Sequence, residues 1–140
     1  MKSDSVYRSG HHQPSSPTAL VIAPTRELVI QVFNEAKKLS KCSMVKPAVL
    51  YGGTNPHYQA KDLAEGCNIL VATLGRLLDF VDRGIVSLRK VKVLVLDEAD
   101  KLLDMGSCPE IEKCVDAMPE KRKRYYNSVD GGPRSWVCAC

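Results

Sequence analysis

The sequence predicts an α/β fold, a parallel sheet carrying helices on both faces. Three observations carry that prediction. Four short aliphatic runs are too continuously apolar to be half-exposed strands. Stretches with helical spacing separate those runs, and strands alternating with helices build a parallel sheet with right-handed crossovers. A polar or glycine-bearing turn follows each run directly, at the sheet edge where open α/β sheets bind their ligands.

The elements follow in order. Ala19 to Ala23 is the first strand. Glu27 to Leu39 has Leu28, Val32, Ala36 and Leu39 at helical spacing, with Phe33 beside them. Ala48 to Tyr51 is a second strand, stopped by Gly52-Gly53, and Tyr58 to Glu65 a short helix. Asn68 to Ala72 is the third strand, Gly75 to Val81 a helix, and Val91 to Leu96 the fourth strand. Pro109 to Met118 suits a last helix, because proline is tolerated in a first turn. Residues 1–18 and 119–140 lack any pattern that could build a core; the first stretch reads as a flexible lead-in and the second as an unpatterned tail. Residues 19–118 are therefore the folded unit.

Composition narrows the function classes. The chain has 140 residues, of which 44% are hydrophobic and 26% charged, as in an ordinary globular protein. No apolar run reaches the roughly 20 residues that span a bilayer, and the N-terminus has no apolar signal core. No membrane partner is expected. Six cysteines without a Cys-x-x-Cys are read as thiols of a reducing, intracellular protein. The formal charge of +4 comes entirely from the ends, because Ala19 to Met118 carries 13 basic and 13 acidic residues. Any anion site in the core must rest on placement.

Placement is what the turns supply. Pro24-Thr25-Arg26-Glu27, Gly52-Gly53-Thr54 and Thr73-Leu74-Gly75-Arg76 offer hydroxyls, glycines and two arginines at helix starts, which attract phosphates. Asp97-Glu98-Ala99-Asp100 is acidic, as a magnesium site would be. Taken singly, each turn reads first as turn chemistry and helix capping. The acidic turn also suits a helix start, although its position after an aliphatic strand favours a metal or catalytic role.

Taken together, the four turns resemble the first helicase domain of a DEAD-box RNA helicase. Ala23-Pro24-Thr25-Arg26-Glu27-Leu28 with Gln31, then Gly52-Gly53, Thr73-x-Gly75-Arg76 and Asp97-Glu98-Ala99-Asp100 agree with that family in order and spacing. The flanking text, including Tyr51-Gly52-Gly53-Thr54 and Leu103-Asp104-Met105-Gly106, is most similar to the Vasa-like branch. The resemblance implies a RecA-like sheet of the P-loop NTPase type, present here in part. It implies that Asp97 holds magnesium, that Glu98 deprotonates the water attacking ATP, and that Asp100 links the acidic turn to the motif coupling hydrolysis to RNA. It also implies that Thr25, Arg26, Gly53, Thr73, Gly75 and Arg76 contact the sugar-phosphate backbone of one RNA strand, without reading sequence. The partners it implies are RNA, ATP and a second helicase domain, and the location cytoplasmic, in germ granules for a Vasa-like protein, with the nucleus as an alternative.

Departures from the family shape the expectations. The 140 residues contain no Gly-x-x-x-x-Gly-Lys-Thr loop and no Ser-Ala-Thr motif, so ATP binding by this chain alone is not expected. The resemblance places a phosphate-loop strand beside the acidic strand; without it Val93, Val95 and the apolar face of the Glu27–Leu39 helix would lose a packing partner and leave a poorly soluble or partly molten chain unless a partner or dimer covers the gap. Leu74 stands where the family has proline, and Ser107 where it has phenylalanine. Two readings follow: part of an ATP-dependent RNA-unwinding enzyme, or a non-catalytic RNA- or protein-binding module. Lys121-Arg122-Lys123-Arg124 reads as a solvated basic linker, with nucleic-acid binding or nuclear address as the alternative, and Cys138-Ala139-Cys140 as chain-end thiols.

Overall fold

The structure, a computed structural model, describes residues 13–120 and the backbone of residues 123–127. Lys121-Arg122 of the basic segment and Cys138-Ala139-Cys140 lie outside the described residues, as do His11-His12, too isolated in the sequence to suggest a metal site. Five strands form one sheet: β1 (Ala19–Ile22), β2 (Pro47–Leu50), β3 (Ile69–Ala72), β4 (Val93–Asp97) and β5 (Lys123–Asn127). Their spatial order is β2-β3-β1-β4-β5, and every pairing is parallel. Parallel strands put all four polar turns at one edge, as expected. The helices are α1 (Arg26–Ser40), α2 (Pro56–Ala64), α3 (Leu74–Asp82), α4 (Ala99–Asp104) and α5 (Cys108–Asp116).

The helices start where local chemistry allows. The Thr25 hydroxyl accepts the Leu28 N–H at 3.3 Å and caps α1, whose last turn carries Lys37 and Lys38 against the helix dipole. Asn55 caps α2 by accepting the His57 N–H at 2.9 Å, with Pro56 at the first helical position.

The pleat divides the core unequally. Leu20, Ile22, Leu50, Leu70, Leu94 and Leu96 face one side and pack with α2, α3, α4 and α5 through Leu63, Leu77, Phe80, Leu102 and Ile111. On the other side α1 covers a smaller cluster built on Ala23, Val29 and Val71. In-register pairing places Val95 beside Val21 on the α1 side. Val93 and Val95 are half-buried and join neither cluster.

The acidic turn, which also suited a helix start, opens α4, and one strand was not foreseen. The six residues of α4 are too few to show a period. β5 lies in the stretch read as unpatterned tail, and it pairs with β4 along five positions, Val93↔Lys123 through Asp97↔Asn127. Lys-Arg-Tyr-Tyr-Asn has no aliphatic run, so only the hydrogen-bonding needs of β4 reveal it as a strand. This corrects the expectation of a gap beside the acidic strand: β4 is paired on both sides, and among the described residues its α1 face is the less covered one. The end of the lead-in is tied down as well. Ser15 bridges Val86, with the Ser15 N–H donating to Ile85 O at 2.9 Å and the Ser87 N–H to Ser15 O at 2.8 Å. No helix of the described residues is long and apolar enough to cross a membrane.

Candidate functional site

The first three turns are stitched into one surface by two arginines that work differently. Arg26, at the start of α1, lies over the Tyr51 ring at 4.8 Å from its centroid, a cation–π contact between the turn after β1 and the turn after β2. Its Nη1 comes within 3.6 Å of where a side chain on Gly53 would begin, and Gly53 has a φ of +80°. Glycine is needed there for the backbone angle, and its bareness lets the guanidinium approach. No acceptor among the described residues engages Arg26, which is exposed.

Arg76 points its bonds inward. Its Nη2 donates to Thr54 O at 3.0 Å and its Nη1 to Gln59 Oε1 at 3.3 Å, while its guanidinium lies 5.9 Å from the Phe80 ring centroid. Gln59 in turn donates through Nε2 to Tyr51 O at 3.1 Å and to Thr54 Oγ1 at 3.0 Å. Gln59 is the buried polar side chain of the described core, and sequence reasoning missed it. Its signal was a glutamine on the α2 face that also carries Ala60 and Leu63. A buried amide satisfied on both ends holds a loop in one shape.

The remaining candidates divide in the same way. The Thr25 hydroxyl is occupied in capping α1. Thr73 stands at the N-cap of α3 without a side-chain capping bond. Gly75 has open space where a side chain would begin. Thr25, Arg26, Gly53, Thr73, Gly75 and Arg76 therefore do share one edge; Arg26 is the arginine presented there, and Arg76 braces the loops.

The acidic turn is strained. Glu98 adopts φ 49° and ψ 50°, a left-handed conformation that a non-glycine residue holds only when its surroundings impose it, and which clusters at functional sites. The Glu98 N–H donates to Asp97 Oδ1 at 3.1 Å, and the Glu98 carboxylate pairs with Lys101 Nζ at 3.1 Å. Asp100 Oδ1 is buried and has no hydrogen-bond partner among the described residues. Such an orphaned acceptor calls for a donor that the described residues do not supply. No group of three or more His, Cys, Asp or Glu gathers as a metal cage among the described residues. One or two carboxylates at a strand end fit magnesium, which keeps most of its waters and completes its shell with substrate phosphates.

The cysteines take no part in this edge. Burial pushes the Cys67 thiol up to about 12, and the Cys67 S–H donates to Ile69 O at 3.3 Å. Burial also pushes Cys114 up to about 12, with Asp82 and Glu110 adding to the shift against Lys113. Both are packing groups rather than nucleophiles.

Known proteins share this fold. The family model described as DEAD/DEAH box helicase matches residues 5–128, a span that includes β5. The yeast DEAD-box splicing factor Prp28 superposes with a TM-score of 0.77 at 32% identity, covering 91% of this chain and 32% of that one. A DEAD box protein from the hyperthermophile Methanococcus jannaschii superposes with a TM-score of 0.75 at 38% identity, covering 84% of this chain and 32% of that one. The chain thus spans about a third of the length of these solved relatives. With that family model matching most of its length and both solved relatives above 30% identity, the chain belongs to the DEAD/DEAH box helicase family.

Proposed function

We propose that this chain supplies one wall of the RNA track of an ATP-dependent RNA helicase, gripping single-stranded RNA by its phosphates. The stitching of three strand-end turns carries the reading. Arg26 stands exposed without an acceptor among the described residues, while Arg76 and Gln59 rigidify the surface around it. A guanidinium fork matches phosphate oxygens, and a rigid track tolerates any base order. The flanking motifs favour the Vasa-like branch within the family.

The acidic turn supports the catalytic half of the reading. Asp97, at the end of β4 with its carboxylate bonded to the next N–H, would hold magnesium through water. Glu98 would take the proton of the attacking water, and Asp100 would accept a donor from outside the described residues. Magnesium would supply charge neutralisation on the transferred phosphate. The sequence holds no phosphate-cradling Gly-Lys-Thr loop, so ATP turnover and unwinding belong to a longer assembly of parts.

Fluorescence anisotropy with labelled single-stranded RNA tests the track. Affinity should fall with salt, and Arg26→Ala should weaken binding uniformly across sequences while reducing the salt slope by about one. Lys113→Ala, which removes a lysine paired with Asp82, should change little. If neutralising Lys121 and Arg122 abolishes binding while Arg26→Ala leaves it intact, the basic segment is the binder and the sheet edge is not.

A further inference from the structure

A cavity of about 180 Å³ opens beside the same edge. Its walls come from the turn after β1, the turn after β3 and the connection between α4 and α5, so it adjoins two of the three stitched turns. Pro24, Leu74 and Met105 make it largely apolar, and Met105 is 65% exposed. Thr73 and Ser107 also line it, and both stand at helix N-cap positions without making the capping bond such residues normally make. Glu110 stands among the lining residues with no hydrogen bond or ion pair among the described residues. Leu74 and Ser107, the two departures from the family pattern, line this one cavity.

An apolar slot whose two hydroxyls and one exposed rim carboxylate have no partner among the described residues suits a flat ring with donor groups on its edge. A cavity of about 150 Å³ accepts a six-membered aromatic ring, so this volume admits one ring system seated against its walls. Single-stranded RNA offers such rings, because its bases splay out, stack on side chains and present their pairing edges. A thioether at the rim suits stacking. We propose that this cavity seats one base of the strand held along the edge, with Glu110 selecting a base that carries adjacent N–H donors. The proposal rests on the RNA reading above.

The selectivity follows from the carboxylate. An ionised glutamate only accepts hydrogen bonds. Guanine presents a ring N–H and an amino group side by side, a pair that matches both carboxylate oxygens. Uracil presents one N–H between two carbonyl oxygens, which the carboxylate repels. The full chain would thus prefer guanosine over uridine at one position of an otherwise unselective track.

The test uses the full chain and labelled oligouridine of about ten nucleotides, with the central residue uridine, inosine or guanosine. Guanosine should bind about five- to tenfold more tightly than uridine, and inosine, which lacks the amino group, in between. Glu110→Ala should collapse the guanosine affinity to that of uridine. Ser107→Phe, which fills the cavity, should do the same, and circular dichroism of each variant checks that it is folded. Equal affinity for all three oligonucleotides overturns the base pocket and leaves the RNA track standing. A guanosine preference that survives Glu110→Ala also overturns it. Binding of none of the oligonucleotides overturns the pocket and the track together.

Discussion

Arg76 and Arg26 look interchangeable in the sequence, each an arginine in a turn that opens a helix. Their surroundings separate them. Arg76 joins Thr54 and Gln59, so Arg76→Ala strands a half-buried carbonyl and the Gln59 amide oxygen and should cost about 1–3 kcal/mol of stability. Arg26→Ala should weaken RNA binding with little loss of stability. Urea denaturation of the two variants, set beside their RNA affinities, checks this split; equal destabilisation by both would show that the brace is shared. The thiols give a second prediction at this scale. Cys67 and Cys114 hold their protons far more tightly when folded than at their ordinary value of 9.0. The folded chain therefore binds more protons than the unfolded chain above pH 9. The stability these thiols contribute is complete below pH 9 and is lost as pH rises towards 12. Melting temperatures of Cys67→Ala and Cys114→Ala should decline less steeply over that window than the parent's. At pH 8 an alkylating reagent should label exposed Cys42 well before either, as mass spectrometry would show.

Elements carry a different lesson. The four aliphatic strands and their helices follow from periodicity, because each buries a face that its own residues announce. β5 follows from its neighbour: without it, β4 would end the sheet with unpaired backbone groups directly beside the acidic turn. A chain ending at Glu120 should melt at lower temperature and self-associate through the bared edge of β4, measurable by calorimetry and light scattering. An unchanged melting temperature for a monomeric truncated chain would show that β5 adds nothing to the fold. The α4 helix shows the same dependence on context, since Ala99 and Leu102 are buried only because α5 and the sheet close over them.

At the scale of the whole molecule, the described residues cover one side of the sheet more heavily than the other. Val93 and Val95 sit on the less covered side, where α1 packs chiefly against β2 and β3. The expectation of a partly molten chain rested on a missing neighbour strand, and β5 stands in that place. The chain should bind a dye specific for apolar surface, and Val95→Thr should reduce that binding at a smaller stability loss than Leu94→Thr, because Leu94 is fully buried. Catalysis belongs to this scale too. Positioning of the phosphates supplies most of phosphoryl-transfer catalysis, so the isolated chain should turn over ATP at background rate. RNA-stimulated turnover that disappears in Glu98→Gln would contradict this and would show that the acidic turn works without a Gly-Lys-Thr loop.

By itself the sequence determined the fold class, the four strand-end turns and the placement of Thr25, Arg26, Gly53, Thr73, Gly75, Arg76, Asp97, Glu98 and Asp100 at one edge. Those features rest on local patterns, apolar runs and turn residues, which a linear text carries. Only the tertiary structure decided that Arg76 braces while Arg26 is presented, that Gln59 ties the turn after β2 to Arg76 of the turn after β3, and that a polar segment completes the sheet as β5. It alone brought Leu74, Ser107 and Glu110 to one cavity. These depend on partners far apart in the chain, and a side chain's hydrogen bonds are set by which neighbour folding delivers, a quantity no local period records.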